Sequence, residues 1–338
     1  MAGSNMPSKH FFHDTSFDTL MKKRIYHVLL ISSAYDAFIL EEDGRIDEQI
    51  FNEYVSLNLR YPPQFIQVTN KEKAMEELKE GGIDLVVTML SAEDEDTFSI
   101  AKMIKEHYED IPIVVLTPFS RQVSINFDKE DLSAIDYVFS WLGNADLLLA
   151  IIKLIEDKMN VEHDVDEVGV QTIILVEDSV RFYSSYLPHI YKIIFKQSLQ
   201  FMKEALNEHQ QMMRMRGRPK ILLARNYNEA IELFERYKNN LLGIISDISY
   251  ERDGAVDKEA GIRLVKKIKQ SDPLMPVLLQ SSDLHQEKTA KELKVGFINK
   301  NSKTISIELK SFITEFFAFG DFVFFDPETH VEVDRAKD

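Results

Sequence analysis

Acidic, hydroxyl and basic side chains stand at the ends of apolar runs in the second half of the sequence. Glu177 and Asp178 follow one such run, and Asp247, Ser281 and Lys300 each end or follow another. If these runs are parallel strands of one sheet, their carboxyl ends open into the same crevice. We therefore expect the five side chains to lie close together, although they are far apart along the chain.

The three carboxylates of this group would repel one another by about 4 kcal/mol per pair at roughly 4 Å and an effective dielectric constant near 20. A bound cation would relieve this repulsion. Oxygen ligands without His or Cys favour a hard ion, and few protein ligands with room for water suit Mg²⁺ better than Ca²⁺. A lysine and a hydroxyl opposite the metal can hold phosphoryl oxygens while a carboxylate attacks phosphorus. The pattern thus indicates that one of these carboxylates forms an aspartyl-phosphate.

Short apolar runs alternate with amphipathic segments from residue 24 onward, which is typical of a parallel sheet covered by helices. The predicted strands are 27–31, 65–68, 85–89, 113–117 and 137–139, then 172–176, 220–224, 243–246, 277–280 and 296–298. Residues 84–89 align with 242–247, and 112–117 align with 276–281, so the chain contains a duplicated domain and not a short solenoid repeat. We predict an α/β protein with two doubly wound, five-stranded parallel sheets.

The length and composition of the chain exclude several classes of function. The 338 residues suffice for two domains, and the net charge of −16 disfavours nucleic acid and anionic membranes as partners. The sequence has no Cys, which excludes disulfides and thiolate catalysis. No apolar stretch approaches the 18 or so residues of a membrane span. We expect a cytoplasmic protein.

The second half resembles the receiver domain of two-component response regulators. That family has an acidic pair after strand one, a phosphoaccepting Asp after strand three, Ser or Thr after strand four and Lys after strand five. The five positions named above match this pattern, and the 53-residue spacing from Asp247 to Lys300 agrees with it. The resemblance implies a flavodoxin-like fold, Mg²⁺ as cofactor, and a histidine kinase or phosphotransfer protein as partner.

The resemblance also implies roles for individual residues. Mg²⁺ would be bound by Glu177, Asp178, Asp247 and the backbone carbonyl of Ser249, and Phe297 falls at the position of a switch aromatic. The sequence departs from the family at Asn301, where proline is usual, and in the insertion YERDGAVDKEA after the acceptor. A haloacid-dehalogenase-type phosphatase also uses an Asp nucleophile with Mg²⁺, but it needs a second Asp where Ser249 stands.

The first half lacks the corresponding chemistry. Ser32 and Ser33 occupy the positions of the acidic pair, Met89 that of the acceptor and Ser140 that of the lysine. We therefore interpret this half as a pseudo-receiver. The acidic run 93–96 is read as a solvated loop.

A long helix is predicted over residues 187–216, with Pro188 in its first turn. Leu199, Met202, Leu206, His209 and Met213 repeat at spacings of three and four, as in a coiled coil. The repeat predicts either a homodimer or packing of the helix on its own chain. The expected divisions are a polar tail (1–22), the pseudo-receiver (23–158), an acidic linker (159–170), the receiver with its extended first helix (171–319) and a C-terminal hairpin (320–338).

The first functional hypothesis is a signalling module that is phosphorylated on Asp247 and is not an enzyme beyond self-phosphorylation and autodephosphorylation. The alternative is a scaffold whose acidic pocket is never phosphorylated. The segments LVEDSVRFYSSYLP, LLQSSD, KNS and FGDFVF, together with the degenerate first unit, also resemble the N-terminal region of bacterial pyruvate phosphate dikinase or phosphoenolpyruvate synthase-like proteins. That resemblance implies a regulatory region of a larger enzyme.

Overall fold

The first sheet is built from β-strands that alternate with helices in the order expected of a doubly wound unit. The computed structural model describes residues 20–40, 45–89, 97–118, 132–141, 145–202, 215–317, 322–325 and 332–336. The first unit contains β1 (His27–Ile31), α1 (Ala34–Leu40), α2 (Ile46–Ser56), β2 (Gln64–Val68), α3 (Lys71–Glu80), β3 (Leu85–Met89), α4 (Thr97–His107), β4 (Ile113–Pro118), β5 (Tyr137–Trp141) and α5 (Ala145–Val168).

The second unit repeats this arrangement with one insertion. It contains β6 (Thr172–Val176), α6 (Val180–Met202), β7 (Lys220–Ala224), α7 (Tyr227–Tyr237), β8 (Leu241–Asp247), β9 (Tyr250–Arg252), β10 (Ala255–Asp257), α8 (Ala260–Ser271), β11 (Val277–Ser281), α9 (Gln286–Glu292), β12 (Gly296–Asn299) and α10 (Ile305–Phe316). A two-stranded antiparallel sheet, β13 (Phe322–Phe325) and β14 (Glu332–Ala336), follows where a hairpin is expected.

Both large sheets are parallel and have the same strand order. The first runs β2-β1-β3-β4-β5, and the second runs β7-β6-β8-β11-β12. Counted within each unit, this is the order 2-1-3-4-5 of flavodoxin-like folds. All ten strands predicted from the apolar runs are present, so the prediction of two doubly wound α/β units is confirmed.

The same local signal starts the same helix in both units. Asn70 precedes α3, and its side chain accepts a hydrogen bond from the backbone N–H of Lys73 at 3.0 Å. Asn226 precedes α7 and accepts from Glu229 N at 2.8 Å. An Asn at this position satisfies a backbone donor that the first helical turn leaves unpaired. The duplication therefore extends to the helix caps.

The edge strands β5 and β7 are fully buried, although each lies at the end of its sheet. Helix α6 of the second unit covers β5, and α5 of the first unit covers β7. Tyr183 donates its hydroxyl hydrogen to the carbonyl of Val138, and Ser184 Oγ accepts from Ser140 N at 2.9 Å. Each unit thus protects a sheet edge of the other.

A buried polar network joins α5 to the strand β7. Asp157 is fully buried and accepts two hydrogen bonds from the guanidinium of Arg218, at 2.7 and 2.9 Å. It also accepts from the Tyr191 hydroxyl and from Ile221 N. About two helical turns further on, Asp164 pairs with Lys220 at 2.9 Å, and both side chains are fully buried. We call these groups the α5 network.

Two of the expected divisions are wrong in their boundaries. The segment 159–170, expected to be an acidic linker, continues helix α5 to Val168, because Asp164 and Asn160 face buried partners and not solvent. The expected polar tail (1–22) includes Leu20 and Met21, which are buried. Met21 N donates to the carboxylate of Asp164, which ties this segment to α5.

The long helix also begins earlier than the sequence predicts. Helix α6 starts at Val180, so Pro188 lies inside it and not in its first turn. Ile194 and Phe195 are fully buried, and Leu199 packs against the core of its own chain. Met202 ends the described part of the helix, and Leu206, His209 and Met213 lie outside the described residues. No helix among the described residues is long and apolar enough to cross a membrane.

Candidate functional site

Strand register explains why the predicted residues meet. Val176 of β6 pairs with Ser246 of β8, so Glu177 follows one strand where Asp247 ends the neighbouring one. Residue 281 ends β11 and pairs with the last residue of β12, directly before Lys300. The backbone N–H of Lys300 donates to the carbonyl of Ser281 at 3.0 Å. The carboxyl ends of four adjacent strands therefore supply the predicted group.

The three acidic side chains form one cluster. One carboxylate oxygen each of Glu177, Asp178 and Asp247 lies within 4.8 Å of the others, and this is the one group of metal-ligand type found among the described residues. Glu177 is buried, Asp247 is half-buried and Asp178 is exposed. This graded exposure leaves one side of the cluster open to solvent. The donor set, oxygen alone with room for water, fits Mg²⁺.

Lys300 places a positive charge against two of these carboxylates. Its Nζ lies 2.5 Å from Glu177 Oε2 and 2.8 Å from Asp247 Oδ2. The ammonium group also lies 4.3 Å from the centroid of the Phe182 ring, a cation–π contact. Since Lys300 is itself buried, its charge is directed into the crevice and not into bulk solvent.

The electrostatics of the cluster favour an added cation. Burial raises the pKa of Glu177 to about 8; the charge of Asp247 acts in the same direction, and Lys300 opposes it. Burial and the charge of Asp247 also raise the pKa of Asp178 to about 6. Both shifts mean that the ionised form is disfavoured here. A divalent cation would favour the ionised form and so would bind more tightly as these groups lose their protons.

The backbone after Asp247 is fixed by a close helix contact. Ile248 N donates to Asp247 Oδ1 at 2.7 Å, and Gly261 N in α8 donates to the carbonyl of Ile248 at 2.9 Å. A Cβ atom at Gly261 would lie 2.2 Å from the Asp247 carbonyl oxygen. The glycine therefore allows α8 to approach the acceptor loop.

The insertion after the acceptor forms an antiparallel hairpin, β9–β10, that is separate from the five-stranded sheet. Asp253 and Gly254 at its turn both have positive φ, of 54° and 83°, as a tight hairpin turn requires. Tyr250 is buried at its base and contacts Ser246 Oγ through its hydroxyl at 3.4 Å. Ser249 lies in the connection between β8 and β9, and the metal-ligand role of its carbonyl stays a prediction.

Two further predicted residues lie near the crevice edge. Ser281 Oγ accepts a hydrogen bond from Asp283 N at 3.1 Å. Phe297 lies in β12, is half-buried and packs against the core of the second unit; its role as a switch stays a prediction. Asn301, which replaces the usual proline, donates from its backbone N–H to the side chain of Asn299 at 2.8 Å. That bond closes the turn that carries Lys300.

Two aromatic residues of α6 beside the crevice are absent from the sequence prediction. The rings of Phe182 and Tyr186 stack on one face of α6 with centroids 5.9 Å apart, and Phe182 contacts Lys300. The Tyr186 hydroxyl is buried and has no hydrogen-bond partner among the described residues. Their separation of four positions is a signal for a shared helix face, but it is equally typical of an ordinary core.

The first unit has no comparable cluster in its described part. Ser32, Met89, Thr117 and Ser140 are all buried at the equivalent strand ends, and none carries a charge. A neighbouring acid, Asp36, is bound by the hydroxyl of the serine that precedes α1, at 2.8 Å, in a helix cap. The acidic run 93–96 lies outside the described residues.

Comparison with known proteins finds solved structures that are similar to this chain, but no matching family model or curated sequence. No family model matches the chain, and no curated protein sequence matches it. The structure of the response regulator TrrA from Thermotoga maritima in complex with Mg²⁺–BeF is similar at 19% identity, over 38% of this chain and 97% of that one, with a TM-score of 0.28. A receiver protein from Sinorhizobium medicae is similar at 18% identity, over 40% of this chain and 96% of that one, with a TM-score of 0.29. The solved structures similar to this chain thus include receiver domains.

Proposed function

We propose that the second unit accepts a phosphoryl group on Asp247 in the presence of Mg²⁺ and that the protein is a response-regulator signalling module. One observation carries this proposal. The Asp247 carboxylate lies within 4.8 Å of two further carboxylates and 2.8 Å from the Lys300 ammonium, at the open end of a parallel sheet. This combines a nucleophile, a place for a cation and a fixed positive charge.

Different residues of the chain have different roles in the phosphoryl transfer. A carboxylate oxygen of Asp247 forms a bond to phosphorus while the bond from phosphorus to the donor's leaving group breaks. Glu177 and Asp178 would hold Mg²⁺ together with Asp247, and the ion would neutralise charge on a phosphoryl oxygen. Lys300 and the Ser281 hydroxyl would contact the remaining phosphoryl oxygens. In this scheme Lys300 exchanges its contact with Asp247 for one with the phosphoryl group.

The first unit serves a structural role in this proposal. Its strand ends offer no charged ligand among the described residues, whereas its helix α5 covers β7 and its strand β5 packs against α6 of the second unit. The donor would be a histidine kinase or phosphotransfer protein, in the cytoplasm, and the chain itself would not be an enzyme. Homodimer formation through the helix at 187–216, and a role as the regulatory region of a larger phosphoenolpyruvate synthase-like enzyme, remain proposals of the same kind.

Phosphorylation by a small donor tests the assignment directly. With acetyl phosphate and Mg²⁺, intact-mass spectrometry of the full chain should show one added phosphoryl group that is stable in acid and labile in base. Asp247→Asn should remove it, and Asp110→Asn, which changes an exposed Asp of the first unit, should not. Labelling that persists in Asp247→Asn would place the acceptor elsewhere. No labelling of the wild-type chain would favour the scaffold alternative.

A further inference from the structure

A cavity of about 70 Å³ lies between the two units, on the side opposite the acidic crevice. Its lining comes from the segments before β1, β2 and β7, together with parts of α5 and α6. The amino ends of parallel strands lie opposite the carboxyl ends that carry Asp247. Phe195 and Met215 are buried residues of its lining, and Tyr26 and Tyr61 are exposed ones. This volume is room for several water molecules or for one phosphate group.

The lining of this cavity is mostly positive, which is unusual in an acidic chain. Five cationic side chains stand against one carboxylate, Glu156, in a chain whose net charge is −16. Glu156 pairs with Lys153 at 2.7 Å, and Arg218 is held by Asp157 in the α5 network. Arg24, Arg60 and Arg216 also line the cavity, and Arg24 Nε donates to the carbonyl of Met21 at 3.3 Å. Guanidinium groups of this number favour an anion that has several acceptor oxygens.

Two residues that line the cavity have an unusual backbone conformation. Met21 and Tyr61 both line it, and both have left-handed backbone conformations, with φ of 52° and 59°. Asn58 has φ of 50° as well, but it ends helix α2, where an Asn in this conformation is common. Residues with large side chains rarely adopt positive φ, and such strain is concentrated at ligand sites. Tyr61 moreover precedes a proline, which restricts its backbone further.

We propose that this cavity binds a small molecule through a phosphate group, which the guanidinium groups of Arg24, Arg60 and Arg216 contact. The exposed rings of Tyr26 and Tyr61 stand beside the lining arginines and offer a surface for a flat group attached to that phosphate. Because both units contribute to the lining, the ligand would contact both. This proposal is independent of phosphorylation on Asp247.

Isothermal titration calorimetry of the full chain in EDTA tests the proposal, since EDTA removes Mg²⁺ from the acidic crevice. Inorganic phosphate and AMP are titrated separately, and saturable binding of one molecule per chain is expected. Arg24→Gln and Arg60→Gln should each weaken that binding about tenfold or more, because each removes a charge-assisted contact. Tighter binding of AMP than of phosphate would assign the ligand as a nucleotide; equal binding would assign the phosphate group alone.

Two control variants separate this site from general charge and from the acceptor. Arg236→Gln changes an exposed arginine that pairs with Glu162 on the surface, and it should leave the affinity unchanged. Asp247→Asn should also leave it unchanged, so failure here and failure of phosphorylation are distinguishable. Absence of saturable binding, or equal weakening by Arg236→Gln, would overturn the proposal. Arg60 is exposed, so Arg60→Gln is expected to fold, and circular dichroism checks this.

Discussion

Asp178→Asn removes one of the three crowded carboxylates of the crevice while keeping the size of the side chain. Glu177 and Asp247 each pair with Lys300, whereas Asp178 makes no ion pair with any residue that the structure describes. Its charge is therefore the one that the protein compensates least. We expect the variant to be more stable than the wild-type protein when no divalent cation is bound.

The size of the expected stabilisation follows from the distance between the carboxylates and from the exposure of Asp178. At 4.8 Å, two like charges repel by about 1 kcal/mol in bulk water and by about 3.5 kcal/mol at an effective dielectric constant of 20. Asp178 is exposed, so the lower value applies, and attraction to Lys300 cancels part of the repulsion from Asp247. The free energy of unfolding should therefore rise by about 1 kcal/mol in Asp178→Asn.

The pH dependence of this difference has a definite sign. The pKa of Asp178 is raised from 3.8 to about 6 in the folded protein, so the folded state holds the proton more tightly than the unfolded state. Protonated Asp178 carries no penalty below about pH 4, and the penalty grows between about pH 4 and pH 6. The advantage of Asp178→Asn should thus be complete at pH 7.5 and absent at pH 4.

Mg²⁺ should remove most of this stability advantage. A ligand that binds the folded state alone adds about 1.4 kcal/mol at ten times its dissociation constant. The wild-type protein should gain this amount, and Asp178→Asn, which lacks one anionic ligand, should gain less. Loss of the Asp178 proton alone should raise the Mg²⁺ affinity of the wild-type protein about tenfold from pH 5 to pH 7, and loss of the Glu177 proton should add to this rise.

Urea denaturation followed by circular dichroism measures all of these differences, with EDTA in one series and Mg²⁺ in the other. Asp110→Asn, an exposed Asp of the first unit, controls for a change of net charge. A variant that is less stable than the wild-type protein in EDTA at pH 7.5 would show that the three carboxylates do not repel one another as their positions imply. A Mg²⁺ gain equal to that of the wild-type protein would exclude Asp178 as a ligand.

Three other substitutions test the surrounding structure by urea denaturation. Lys300→Met leaves Glu177 and Asp247 without their shared cation, and it should lower the free energy of unfolding by about 3 kcal/mol at pH 8 and by less at pH 5, where Glu177 is protonated. Gly261→Ala places a Cβ atom against the Asp247 carbonyl, and it should destabilise by about 2 kcal/mol and slow labelling of Asp247. Asp157→Asn leaves Arg218 unpaired in the α5 network, and it should destabilise by about 3–5 kcal/mol.

Matched controls accompany these variants. Lys266→Ala changes an exposed residue on the same helix as Gly261, and Lys310→Met changes an exposed lysine of α10. Asp166→Asn changes an exposed acid of α5 close to Asp157. Each control should lie within about 0.5 kcal/mol of the wild-type protein. If a control variant lowers the free energy of unfolding as much as its partner variant does, the partner position has no special role in stability.

The strands and the acidic cluster could be predicted because their signals are local. A parallel strand covered on both faces is a continuous apolar run, as in 172–176, and the side chain that follows it lies at the sheet's carboxyl end. Strand order places Lys300 at the same edge of the sheet as Asp247, and the length of the lysine side chain lets it cross the end of β11 to reach that carboxylate. Sequence reasoning therefore placed the three acids and the lysine together without knowledge of a single distance, and the roles of these residues and of Ser281 stay predictions.

The contacts between the units could not be predicted because their partners are distant in sequence. The segment 159–170 is acidic and contains glycine, which is typical of a solvated linker, yet Asp164 pairs with Lys220 and Asn160 accepts from Lys23 N. Nothing near Asp164 in the sequence indicates these partners. The contact of the Phe182 ring with Lys300 escapes prediction for the same reason.

The α5 network makes the order of synthesis matter for the first unit. Asp157 belongs to its last helix, but Arg218 lies 61 residues later in the chain. At 5–20 residues per second, a ribosome needs about 3–12 s to add that length. During this interval α5 carries carboxylates whose partners have not yet been made. The backbone of β5 likewise lacks the hydroxyl groups of α6 that bond to it in the folded protein. We therefore expect the amino-terminal unit to complete its fold only after α6 and the segment before β7 have left the ribosome.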